Sequence, residues 1–147
     1  MIHPFQMPDF VSITRGGCVF KYYFVPYHHM NQPTSNKSVW MVDREYELNL
    51  FGSSCSLSIN VSSTFNVSIV NGEAQPVGKG ISGQTTIDLY LCRFVNERQN
   101  QGTPWHGYPI NHMDQNRERP STDFYEKGPG SALCPRDLKR LKRGKPL

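Results

Sequence analysis

The residues best equipped for chemistry gather in the second half of the chain. Trp105-His106-Gly107-Tyr108-Pro109 is followed closely by His112, Asp114, Arg117, Glu118 and Arg119. A histidine of near-neutral pKa moves protons, a carboxylate orients it or acts as base, and an arginine stabilises a pentavalent phosphate. On that chemistry the segment is a small, toxin-like nuclease site, with His106 or His112 working beside Glu118 and Arg117 or Arg119. The spacing His106-x5-His112-x-Asp114 matches no ligand pattern, and Cys18, Cys55, Cys92 and Cys134 form no C-x-x-C pair. No metal and no cofactor is expected. The plainer reading of the same residues is a proline-braced aromatic strap that packs across a sheet and closes the core.

A second chemistry lies at the C-terminus. Between Cys134 and Leu147 stand Arg136, Lys139, Arg140, Lys142, Arg143 and Lys145 against Asp137 alone, a net of +5 in a chain whose total is +4. Residues 1–133 therefore carry about −1, and the basic pI of 8.9 belongs to the tail. Clustered Lys and Arg are what phosphate contacts require, because each neutralised phosphate releases condensed counterions. Spacings of three and four put Arg136, Lys139, Arg140 and Arg143 on one helical face. Trp105 and Tyr108, beside basic residues, suit base stacking by single strands. The plainer reading is a terminal helix that packs Leu138 and Leu141 inward and leaves its charges in water.

Other signals carry less. His28-His29 follows Pro26-Tyr27 in a loop, and neighbouring side chains on an extended chain point apart, so an exposed pair is expected there. Gly78-Lys79-Gly80-Ile81-Ser82-Gly83 spells G-x-G-x-x-G, but the dinucleotide fingerprint needs a helix after it, and here a strand follows; a wide hairpin turn is expected. Neither a phosphate-binding G-x-x-x-x-G-K-[ST] nor a G-x-S-x-G elbow occurs. Three N-x-S triplets, at Asn36, Asn60 and Asn66, fit the glycosylation pattern that a secreted chain would use. The cysteine count also permits two disulfides, although Cys18, Cys55 and Cys92 fall in apparent strands, where a thiol serves as a small buried hydrophobe.

The elements that must position these groups are mostly strands. A chain of 147 residues has the size of one domain, and eight Phe, seven Tyr and two Trp supply a core despite a mean hydropathy of −0.55. Period-2 alternation runs from about residue 10 to 95. Cys18, Phe20, Tyr22 and Phe24 form one apolar face, and Val39 to Val42 is a short apolar run. Tyr46, Leu48 and Leu50 read as a half-exposed strand. Cys55, Leu57, Ile59 and Val61 give the cleanest alternation, with Ser62-Ser63 as a hairpin to Phe65, Val67 and Ile69. Asn71-Gly72 is the strongest turn signal. Thr85 to Val95 reads as the longest strand, with Ile87, Leu89 and Leu91 on one face. Ser, Asn and Thr on the alternate positions suggest sheets wetted on one side.

From residue 96 the character changes: a polar linker over 96–102, the aromatic strap, then helices over Ser121 to Lys127 and Pro135 to Arg143. The second has Pro in its first turn, Asp137 near the positive dipole end and Gly144 as stop. The expectation is a mainly β protein, an antiparallel sandwich or small barrel of six to seven strands. Residues 1–95 form the body, and 96–147 an extension packed on, or trailing from, the same domain. The functional expectation is a non-enzymatic binding module whose partner is nucleic acid or an acidic protein surface. The nuclease and an extracellular glycosylated sandwich are the alternatives. No stretch reaches the ~20 apolar residues that span a bilayer, and Met1-Ile2-His3-Pro4-Phe5 lacks a signal-peptide pattern, so a soluble intracellular chain is expected, or a secreted one with its signal removed.

Overall fold

Alternation becomes sheet in part of the chain and helix or turn elsewhere. The computed structural model describes residues 9–58, 60–96, 104–114 and 117–147. Within them lie β1 (Phe10–Arg15), β2 (Cys18–Tyr23), β3 (Val39–Trp40), α1 (Arg44–Gly52), β4 (Ser63–Val70), β5 (Glu73–Gln75), β6 (Gly78–Ser82), β7 (Thr85–Leu89), β8 (Leu91–Val95), β9 (His106–Ile110), α2 (Thr122–Glu126) and α3 (Pro135–Arg143). The fold is mainly β, nine strands in three antiparallel sheets with the curl of a half-barrel. The sheets are the hairpin β1-β2, the triplet β3-β6-β7 and the quartet β5-β4-β8-β9.

Strand β9 joins them. It pairs with β8 along one edge, Leu91 opposite Ile110 and Val95 opposite His106. Just before it, Trp105 exchanges backbone hydrogen bonds with the first hairpin, Trp105 N–H to Lys21 O and Tyr23 N–H to Trp105 O, both at 2.7 Å. Its other edge takes side-chain donors from β3 and the residue before it: Trp40 Nε1 donates to Gly107 O at 3.3 Å, and Ser38 Oγ to Pro109 O at 2.7 Å. Pro109 lacks an N–H, which an edge strand tolerates. The strap is itself a strand of the quartet rather than a segment packed across a sheet, and its Trp105 lies in the core.

The quartet is buried on both faces. On one side Cys92 and Phe94 meet Phe20, Tyr22, Phe24, Phe51 and Trp105; on the other Phe65, Val67, Leu91 and Ile110 meet Phe124, Tyr125, Leu133 and Leu141. The apolar run of β8 follows from this, since a strand covered twice has no wet face.

Several expectations need correction. Tyr46 to Leu50 is helix, not strand. Asp43 caps it, its side chain accepting from Tyr46 N–H at 2.8 Å, and the residues that bury are Glu47, Leu50 and Phe51, a helical spacing. Cys55 to Val61 forms no strand among its described residues (Ile59 lies outside them), and no Ser62-Ser63 hairpin follows: Ser56 has φ of 55°, Val61 N–H turns back to Ser58 O, and Ser63 already opens β4. Thr85 to Val95 divides at Tyr90, where the chain leaves the triplet for the quartet. Gly78 and Gly80 lie inside β6, and Gly83 sits in a two-residue turn rather than a wide one. This division, β1 and the short β3 and β5 raise the strand count above six or seven.

The alternate positions of β4 are not wet. Thr64, Asn66 and Ser68 are buried beneath α1 and the turn after it, each with a partner. Asn66 Nδ2 donates to Leu50 O at 2.8 Å, Thr64 Oγ1 to Cys55 O, and Ser68 Oγ meets Tyr46 O–H. Asn71-Gly72 closes β4 to β5 with φ of 53° and 82°, as a two-residue hairpin of this hand demands. The linker expected over 96–102 lies outside the described residues except for Asn96. Both C-terminal helices form at their expected places.

Candidate functional site

Helix α3 is the most fully assembled of the expected sites. Pro135 opens it, and Gly144, at φ 67°, lets Lys145 N–H return to Arg140 O at 2.8 Å. Leu141, 2 % exposed, anchors it in the second core, with Leu138 packed alongside. Its acid turns inward: Asp137 is buried, its Oδ2 accepts from Ala74 N–H at 3.0 Å, and Arg136 Nη1 lies 3.5 Å from Oδ1. Outward, Arg136, Lys139, Arg140, Arg143 and Lys145 line one open groove of about 630 Å³ with Pro146 and no acidic side chain. The cations of the last turn also oppose the negative end of the helix dipole. Lys142, expected among them, lines a different cavity.

Neither aromatic expected to stack bases lies on that groove. Trp105 is 2 % exposed, edge-on to Phe20 and tilted against Phe51. Tyr108 is half-buried, stacked on His28 with ring centroids 5.4 Å apart, and its hydroxyl accepts from Arg93 Nη1 at 2.8 Å.

The five nuclease candidates do not share one place. His112, Glu118 and Arg119 converge on a cavity of about 40 Å³ with Tyr125 and Lys142. His106 sits in β9 opposite Val95, and Arg117 pairs with Asp114 at 3.4 Å on the wall of another cleft. His112 is buried and its Nε2 lies 2.7 Å from Lys145 O, so this nitrogen carries the proton; burial holds the imidazole pKa below its usual value. Glu118 is held by Arg93 Nη2 and by Ser63 Oγ. Among the described residues no three His, Cys, Asp or Glu side chains gather to hold a metal, and no helix is long and apolar enough to cross a membrane. All four cysteines are free thiols. Of the glycosylation triplets, Asn36 and Asn60 are exposed, whereas Asn66 is spent on the buried bonds to Leu50 and Ser53.

Sequence reasoning missed two buried groups. His28 and His29 are not an exposed pair, because the chain forms a 3-10 turn over Pro26–His29 and folds them inward. His29 Nε2 lies 2.9 Å from Glu47 Oε1, and Tyr22 O–H donates to Glu47 Oε2, which places a carboxyl within the aromatic core. Burial pushes the Glu47 pKa up, while the His29 and Tyr22 hydrogen bonds and Arg44 pull it back. The local signal was the Asp43 cap, which sets Glu47 on the inward face of α1.

His28, 6 % exposed, lines a cleft of about 140 Å³ whose wall includes Lys37, Leu89, Tyr108 and Arg117. Its Nδ1–H donates to Ser38 O at 2.7 Å, and burial lowers its pKa from 6.5 to about 4. The folded protein therefore binds fewer protons here than the unfolded chain, and stability falls as pH drops from 6.5 through about 4. With allowance for solvent screening the loss is about 2 kcal/mol. Glu47 acts with the opposite sign, its protonation relieving a buried charge. Chemical denaturation of the protein and of His28→Gln across this range isolates the histidine: the variant should lose less stability on acidification. Equal losses would remove the assignment.

Comparison of the chain with family models, with curated proteins and with solved structures gives no match in any of the three.

Proposed function

We propose that this protein is a non-enzymatic binding module for polyanions, nucleic acid first among them, and that the groove on α3 is its contact surface. One observation carries the reading: five cations line a single open groove with no acid among them, while the one acid of the helix is turned to the Ala74 N–H. Phosphates spaced along a strand meet such a row with counterion release, and no base-specific geometry is required. The buried Trp105 and the engaged Tyr108 contribute nothing to it, so the contact is electrostatic and tolerant of sequence.

The experiment is a titration of labelled single-stranded RNA and duplex DNA. Changing Arg136, Lys139, Arg140 and Arg143 together to Gln should weaken binding at least about tenfold near 0.1 M salt, given the counterion term of each lost contact. Lys21→Gln, an exposed cation on β2, should leave it unchanged. Leu141→Asp should instead lower stability by roughly 3 kcal/mol or more, since it buries a charge in place of an anchor. Equal binding by the quadruple variant would remove α3 as the surface. Binding only to an acidic protein would replace the nucleic-acid partner.

A further inference from the structure

Arg119, on the wall of the cavity on the second face of the quartet, has buried guanidinium donors without partners. Arg119 Nε and Nη2 are both buried, and among the described residues neither has a hydrogen-bond partner. These two atoms form one edge of the guanidinium, whose parallel N–H bonds match two oxygens of a phosphate or carboxylate. Desolvating charged donors without acceptors is costly, so a buried edge of this kind calls for an anion. The cavity offers room for one. Its volume of about 40 Å³ holds roughly three waters or one small oxyanion, and is far too small for a base or a sugar.

The surrounding groups agree on charge. Lys142 reaches the cavity from α3 as a second cation. Glu118, the one acid on the wall, is occupied by Arg93 and Ser63. Tyr125 keeps its proton, burial pushing its pKa up to about 12 against the pull of Arg119, and the same arginine opposes protonation of His112. We infer that the cavity walled by His112, Arg119, Tyr125 and Lys142 binds a phosphoryl oxyanion, Arg119 turning its unpartnered Nε–Nη2 edge into the cavity to meet it. Two cations favour a phosphoryl group over a singly charged carboxylate. Its source is free phosphate or the terminal phosphate of a larger ligand. The site is separate from the α3 groove, and neither needs the other.

Isothermal titration with orthophosphate at constant ionic strength tests it. The protein should bind saturably, in the millimolar range or tighter, and acetate should not compete. Arg119→Gln should lose at least about tenfold in affinity, a difference of one decade in Kd. Arg119→Lys, which keeps the charge and the volume but not the fork, should also bind more weakly, and it serves if the Gln variant does not fold. The quadruple α3 variant should keep its phosphate affinity, which separates this site from the groove. An oligonucleotide with a 5′-phosphate that competes with orthophosphate, when its 5′-hydroxyl twin does not, supports the site and identifies a strand end as the source. Competition by neither leaves free phosphate as the occupant, with the Arg119 dependence intact. No saturable binding, equal binding by both Arg119 variants, or equal binding of acetate would overturn the proposal.

Discussion

Gly107→Ala should unfold the protein at temperatures where the parent is intact. A methyl group at this position of β9 would stand 2.2 Å from Phe94 Cδ1, 2.5 Å from Phe94 Cε1 and 2.8 Å from the Tyr22 hydroxyl. Neither ring can withdraw. Phe94 is stacked on Trp40 and tilted against Phe51, and Tyr22 is fixed by its bond to Glu47. Both are fully buried. Overpacking a dense core costs 1–3 kcal/mol in ordinary cases, and here the strand that joins all three sheets must move, so about 3 kcal/mol or more is expected. Urea denaturation of the purified variant checks the figure. A loss below about 1 kcal/mol would mean that β9 does not run against Phe94 in this register.

How much of this was legible in the residues depends on how local the cause was. Helix α3 was legible throughout, because Pro135, Asp137, the spacing of its cations and Gly144 each act within the helix itself. Asn71-Gly72 was legible for the same reason. Tyr46, Leu48 and Leu50 misled because alternate positions also contain a helical i, i+4 pair, and the decisive Asp43 cap precedes the apolar residues. The run from Cys55 alternates perfectly and still makes no strand among its described residues. A strand needs a continuous partner edge, and the single bond from Cys55 N–H to Phe65 O at 2.9 Å does not supply one. The buried polar face of β4 was illegible because its acceptors, Leu50 O and Cys55 O, come from another element. The cavity was half legible: His112, Glu118 and Arg119 were named from their types, but Tyr125 and Lys142 reach it from two helices whose packing no spacing rule supplies. That same packing gathered His112, Glu118 and Arg119 around one small cavity and set His106 and Arg117 elsewhere.

Buried Glu47 is the other lesson of packing. A carboxyl among Tyr22, Phe24 and Phe51 is held by two hydrogen-bonding side chains from separate elements, so it ties α1, β2 and the turn at His29 together. No pattern of alternation marks such a residue, because its partners lie far off in sequence.

The second large effect is the response of polyanion binding to salt. The groove presents four cations from α3 and a fifth, Lys145, just after its Gly144 cap, and about four phosphates can be met at once. Each contact contributes a slope of about −0.9 on duplex DNA, or −0.7 on a single strand, to the plot of log affinity against log salt. A specific base contact or an apolar patch would not produce that dependence, and the buried Trp105 supplies neither. The decisive quantity is therefore the affinity of the intact protein for single-stranded RNA and duplex DNA between ~50 and ~300 mM salt. Binding should appear at the low end, weaken with a slope of about −3 to −4 as salt rises, and be lost when Arg136, Lys139, Arg140 and Arg143 are changed to Gln, a variant that keeps the Leu138 and Leu141 anchors. Absence of binding at ~50 mM salt, or an affinity that does not change with salt, would contradict the polyanion reading.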